Sequence, residues 1–129
     1  DVLLMRSEAL IEKNENLDEA VALINDVRDR ARLPKNVQVT NQSDLRDKLR
    51  HERRVEFAME GLRYYDIIRW KICDKVRGGD AYGFAKMTES GKRENIFMET
   101  RVWKDHMYLW PVPQDARDLN ENLTQNPNW

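Results

Sequence analysis

Three interruptions limit every helix that the first 76 residues can form: Asn14-Glu15-Asn16, Pro34 and Gly61. Before the first, Val2, Met5 and Ala9 share one helical stripe, with Leu3, Leu4, Leu10 and Ile11 beside it. So broad an apolar face predicts a helix over roughly residues 1–13 that packs on more than one neighbour. Asn16 suits an N-cap, with Glu19 three residues later in the capping-box position. A second helix follows, with Ala20, Leu23, Ile24, Val27 and Ala31 at helical spacing. It cannot pass Pro34, which lacks a backbone N–H and clashes with the preceding turn. A link this short makes the two helices an antiparallel hairpin.

Residues 34–42 predict a loop, with Val37 and Val39 as a short extended stretch. Asn41 or Ser43 caps a third helix that runs to about Glu60, and Gly61 turns the corner because it takes positive φ without a Cβ penalty. A fourth helix, Leu62 to about Val76, places Leu62, Tyr65, Ile68 and Ile72 at helical spacing. Two helical pairs in succession predict an all-α, tetratricopeptide-like fold over about residues 1–76, although the sequence signature of that repeat is absent. Residues 77–129 read as a loop-rich cover and tail of the same domain. Over 78–107, glycine, polar residues and scattered aromatics (Tyr82, Phe84, Phe97, Trp103) show no sustained period, so irregular structure is expected, with room for a short strand or two. The segment Tyr108 to Pro113 must be extended, because each proline restricts the residue before it, and Leu109 and Trp110 supply apolar area to bury. A short helix near Asp115–Asn120 precedes an extended end, Gln125 to Trp129.

Charge and cysteine content remove several classes of function. The 22 basic and 23 acidic side chains nearly cancel, leaving no basic surplus for nucleic acid or an acidic membrane surface. The only cysteine, Cys73, excludes an internal disulfide framework and a cysteine-based zinc knuckle. It reads as a half-buried free thiol; neither His51 nor His106 is near it in sequence. No metal site or cofactor is expected, and no apolar run is long enough to span a bilayer. Asp1 enters directly into the apolar run Val2-Leu3-Leu4-Met5, so the chain reads as part of something longer, and its lack of a targeting segment says little about location.

The most unusual chemistry lies in ERRVEFAMEGLRYYDIIRW, Glu52 to Trp70. On the third helix Leu45, Leu49, Glu52, Arg53, Glu56 and Glu60 fall along one stripe, so apolar residues give way to charges on the same face. On the fourth, Arg63, Asp66 and Arg69 recur every third residue, and the aspartate can pair with either arginine. One reading makes Glu52, Glu56 and Asp66 carboxylates for general acid–base work, as in glycosidases. The other is an ion-paired structural network at the corner of the hairpin. The interleaved arginines favour the network, because a general acid must hold its proton and a nearby guanidinium favours the ionised form.

That segment resembles the E-R-x-x-E-x-x-x-E-G-x-R-x-x-D-x-x-R-W signature near the C-terminal end of SusD/RagB proteins, through Glu52, Arg53, Glu56, Glu60, Gly61, Arg63, Asp66, Arg69 and Trp70. The run Ile24-Asn25-Asp26-Val27-Arg28-Asp29-Arg30-Ala31 is similar to the family's I-N-x-V-R-x-R-A. YLWPVPQDARDLNENLTQNPNW is similar to its closing L-W-P-I-P-Q followed by N-x-x-L-x-Q-N-P-G-[YW]. Departures are small: Ser7 where alanine is usual, Val112 for isoleucine and Asn128 for glycine. Asparagine tolerates the left-handed backbone that such a glycine implies.

The resemblance implies a glycan- or nutrient-binding lipoprotein on the outer face of a Gram-negative outer membrane, a lid that delivers oligosaccharides to a SusC-like TonB-dependent transporter. This chain would be its C-terminal helical scaffold and tail, without the lipid anchor, and it would not be an enzyme. Sugar sites set aromatic faces beside hydrogen-bonding groups. Tyr82, Phe97, Trp103 and Tyr108 fall where rings could be exposed; Tyr82 and Trp103 are the ligand-binding candidates, the alternative being that these rings cover the helices. Trp70, Trp110 and Trp129 are expected to pack. A free-standing helical adaptor that binds a protein partner through an apolar groove is the competing function, and a glycoside hydrolase a more distant one.

Overall fold

The computed structural model describes the backbone of residues 1–129 and every side chain except that of Phe84. The chain divides into two compact units, Asp1–Arg63 and Tyr64–Trp129. It is mostly helical, with one small antiparallel sheet in the stretch expected to be irregular.

The first unit holds α1 (Val2–Lys13), α2 (Leu17–Arg30) and α3 (Gln42–Glu56). Their core is Leu4 and Ile11 of α1, Ala20, Val21, Ile24 and Val27 of α2, Leu45 and Leu49 of α3, with Val37 and Phe57. Leu45 and Leu49 are shut off from solvent, and burial of each such side chain stabilises the fold by about 1.5–3 kcal/mol. Ser7, the departure from alanine, is also buried; its hydroxyl donates to the Ala20 carbonyl at 2.8 Å and joins α1 to α2. The broad apolar face expected of α1 is only half used. Val2, Leu3 and Met5 are exposed, because α2 and α3 cover the side carrying Leu4, Ser7 and Ile11.

Helix ends differ instructively from the sequence reading. Asn16 stands at the N-cap of α2 but takes a left-handed backbone (φ 47°), and its side chain makes no cap bond. Glu19 instead pairs with Arg6, so no capping box forms. Asn41, by contrast, accepts from the Asp44 amide at 2.9 Å and caps α3. Loop 34–41 contains no strand. It is held by the Asn25 amide group, which donates to the Val37 carbonyl at 2.9 Å and accepts from the Val37 N–H at 3.2 Å.

The expected helix to Val76 is broken into α4 (Leu62–Arg69), all but its first two residues in the second unit, and α5 (Cys73–Arg77). Lys71 adopts φ 50°, its N–H reaches the Ile68 carbonyl, and the Ile72 N–H reaches Ile67 at 3.1 Å. That pair of bonds is the Schellman termination, here around a lysine instead of the usual glycine. The buried residues of α4 are Asp66 and Ile67; Tyr65, expected on the apolar stripe, is exposed. Cys73 is fully buried rather than half-buried, its thiol donating to the Ile67 carbonyl at 3.5 Å. The Cys73 N–H donates to the Tyr108 hydroxyl at 3.0 Å.

Strands β1 (Gly79–Met87) and β2 (Arg93–Arg101) pair antiparallel, with Tyr82 opposite Phe97 and bulge-like register shifts on either side of Tyr82. β2 is exposed along its whole length. With neither face of β2 buried, nothing imposes on it the two-residue alternation that would have marked a strand in the sequence. A 3₁₀ turn (Asp105–Tyr108) and α6 (Gln114–Leu119) complete the unit.

Two predictions follow from burial. Arg28 and Glu52 form a largely buried ion pair, so Glu52→Ala should lower stability by about 3–5 kcal/mol, while Arg28→Met with Glu52→Leu should recover most of it. Glu56→Ala, which breaks the more exposed pair with Arg30, should cost under about 1 kcal/mol. Urea unfolding followed by far-ultraviolet circular dichroism reads all three; equal effects of the two alanine variants would contradict the assignment. Burial also pushes the Cys73 thiol up from its ordinary value of 9.0, against a smaller opposing effect of the Tyr108 hydrogen bond. A raised folded-state pKa gives stability that is whole below the unfolded value and lost as pH rises through the folded one. Unfolding free energy should therefore decline above about pH 9, and Cys73→Ala should flatten that decline; a curve of unchanged slope would refute it.

Candidate aromatic ligand site

The tail of the second unit is organised by side-chain bonds to an extended backbone. Gln125 accepts from the Val112 N–H at 2.7 Å and donates to the Val112 carbonyl at 3.1 Å. Asn126 donates to the Trp110 carbonyl. The Trp129 indole N–H is shared between the carbonyls of Leu109 at 2.9 Å and His106 at 3.1 Å, with its ring edge-on to His106 at 4.5 Å. The two closing motifs, LWPVP and QNPNW, are therefore hydrogen-bonding partners of one another. This corrects the expectation that Leu109 and Trp110 are held by burial. They are 57% and 76% exposed, and what fixes the segment is the satisfaction of its backbone groups by the tail.

The consequence is a cavity of about 410 Å³ within the second unit, lined by Tyr64, Arg77, Trp103, Met107, Trp110 and Trp129. Trp103 meets Tyr108 edge-to-face at 5.4 Å between ring centres. Its indole N–H is shut off from solvent and has no acceptor among the described residues. Trp129 turns its polar edge to the backbone and leaves part of its ring surface exposed. Arg77 sits with its guanidinium 5.9 Å from the centre of the Tyr64 ring.

Of the two ligand candidates, Trp103 lines this cavity and Tyr82 does not. Tyr82 lies on β1, 58% exposed, against Phe97 at 6.1 Å. Trp110 and Trp129, expected to pack, line the cavity and keep substantial exposure, whereas Trp70 lies under the Arg69 guanidinium at 4.8 Å. Tyr64, Arg77 and Met107 were not singled out in the sequence. The signal that could have found Trp110 and Trp129 was their position among prolines and amides, with no apolar period to pack into.

The charged residues make several ion pairs. Glu52 pairs with Arg28, Glu56 with Arg30, and Arg53 with Asp1 at 2.9 Å while lying 5.1 Å from the Phe57 ring. Asp66 accepts from Nε and Nη2 of Arg69 at 3.0 and 2.9 Å. Arg63 also has interactions of its own, and Glu60 is exposed. Among the described residues no group of three or more His, Cys, Asp or Glu side chains is placed to hold a metal ion. No helix described is long and apolar enough to cross a membrane.

Residues 1–129 match the model of the SusD family. SusD-like protein P2 of Formosa agariphila is 40% identical over 98% of this chain, and SusD-like protein P38 of the same organism is 31% identical over 60% of it. Among solved structures, a SusD-like protein of Bacteroides fragilis superposes with a TM-score of 0.86 at 31% identity over 99% of this chain. A SusD-like carbohydrate binding protein from the same species gives 0.78 at 34% identity over 95%. The chain spans 24%, 17%, 24% and 27% of these four proteins in turn, about a quarter or less of each. With the signature around Gly61, the I-N-x-V-R run and the paired closing motifs all seated in one matching fold, the chain belongs to the SusD family.

Proposed function

We propose that this chain is the scaffold and closing tail of a cell-surface glycan-binding lipoprotein, a non-enzyme that passes oligosaccharides to a SusC-like TonB-dependent transporter in the outer membrane. Its lipid anchor and most of its ligand surface belong to other parts of a longer protein, and its helices stack in the tetratricopeptide-like manner. Supporting this are the family match across residues 1–129 and the Bacteroides fragilis relative named for carbohydrate binding.

The observation that carries a binding role for this part is the aromatic cavity. Sugar rings present C–H faces that stack on indole and phenol rings, and a cavity of about 410 Å³ is of small-ligand size. Few polar groups converge on it, which favours a contributing surface over a complete site. The adaptor reading rests on an apolar groove between helices; here most of the cavity wall comes from the 3₁₀ turn and extended segments, so scaffold with a stacking surface is the better account. Against hydrolysis stand the arginine partners of Glu52, Glu56 and Asp66.

Titration calorimetry against plant, host and microbial oligosaccharides should give dissociation constants of about 1 mM or weaker, equivalent to roughly 4 kcal/mol, with no sugar released in a reducing-end assay. Micromolar binding would make this part the principal site, and released sugar would overturn the non-enzyme reading.

A further inference from the structure

The cavity has a polarity that narrows its ligand. Of the residues lining it, only Arg77 is charged. Of the indole N–H groups of its three tryptophans, that of Trp129 is occupied by two backbone carbonyls and that of Trp103 is sealed from solvent, which leaves that of Trp110. A neutral sugar seated on these rings would find few partners for its hydroxyl groups. Arg77, by contrast, is exposed, makes no ion pair among the described residues, and carries five N–H donors in a planar fork beside the Tyr64 ring. That fork matches a carboxylate in two parallel hydrogen bonds and repels a cation, so the rings do not form a cage for an ammonium group.

We infer that this cavity takes an acidic oligosaccharide, stacking the sugar faces on Trp103, Trp110 and Trp129 while Arg77 pairs with a sugar carboxylate. The inference rests on the glycan-binding role proposed above and names the class of glycan that this surface prefers. Because Arg77 is exposed, its preference is modest: an exposed ion pair is worth about threefold to fivefold in affinity. It should weaken as salt screens the pair.

Weak, site-resolved binding can be followed in the full chain by nitrogen–proton NMR, because each of the four tryptophans gives its own indole signal. Trigalacturonate and maltotriose serve as acidic and neutral probes of equal length, in low-salt buffer. The expected result is that the indole signals of Trp110 and Trp129 move with both sugars, half-saturating at about threefold to fivefold less trigalacturonate, while Trp70, outside the cavity, stays still. Arg77→Glu should abolish the preference and Arg77→Lys should keep part of it, with native dispersion of the remaining amides showing that both variants fold. Equal response to the two sugars, or a preference untouched in Arg77→Glu, would overturn the acidic specificity and leave glycan binding standing. Indole signals that move with neither sugar would overturn both.

Discussion

The first unit turns on the guanidinium of Arg28. It pairs with Glu52 on α3, and its Nε donates to the Pro34 carbonyl at 2.8 Å, so one side chain ties α2, the following loop and α3 together. Removing a buried charge from such a pair leaves the other without compensation, a larger penalty than the pair's own net contribution. The loop between the helices is therefore not slack. Arg28 holds its start, Asn25 holds Val37, and Gln42 returns to donate to the carbonyls of Ile11 and Glu12 at 2.7 and 3.0 Å, in the last turn of α1. Arg46 then reaches Glu12 with two bonds, holding that carboxyl below its usual range.

Where sequence reasoning succeeded and failed can be traced to what each helix end uses as its signal. α1, α2 and α4 all end in the same bond pattern, around Asn14, Arg32 and Lys71 in the left-handed region. Asparagine advertises that conformation, and Pro34 marks the second end indirectly. Lysine at 71 advertises nothing, so α4 and α5 read as one helix. The core of the first unit was legible because Ala20, Ile24, Val27, Leu45 and Leu49 repeat at helical spacing and are in fact buried. The hairpin was not, since β2, exposed along its whole length, carries no burial pattern. The charged signature was legible as residues but not as partners: Glu52, Arg53 and Glu56 reach to α2 and Asp1, contacts that no local spacing encodes.

The candidate site shows the same division more sharply. Trp103, which lines the cavity, stands out in the sequence because it lies in an aperiodic stretch. Trp110 and Trp129 were assigned to packing because tryptophan is usually well buried. Their exposure has a local cause: their polar neighbours in the tail, Gln125 and Asn126, secure the backbone by hydrogen bonds, so the rings need not bury themselves to hold the segment in place. A surface secured in this way keeps aromatic faces open without the loss of order that an unburied loop would suffer. That is the property a stacking platform needs.

The division into two units has an optical side. All four tryptophans and all four tyrosines lie at or beyond residue 64, and Phe57 is the only phenylalanine in the first unit. Near-ultraviolet absorbance and intrinsic emission consequently come almost entirely from the second unit. The helices that enclose Leu4, Ile24 and Leu49 can open or close with scarcely any change in colour. A tryptophan introduced at an exposed position of the first unit, such as Val2, would give that silent half a voice of its own.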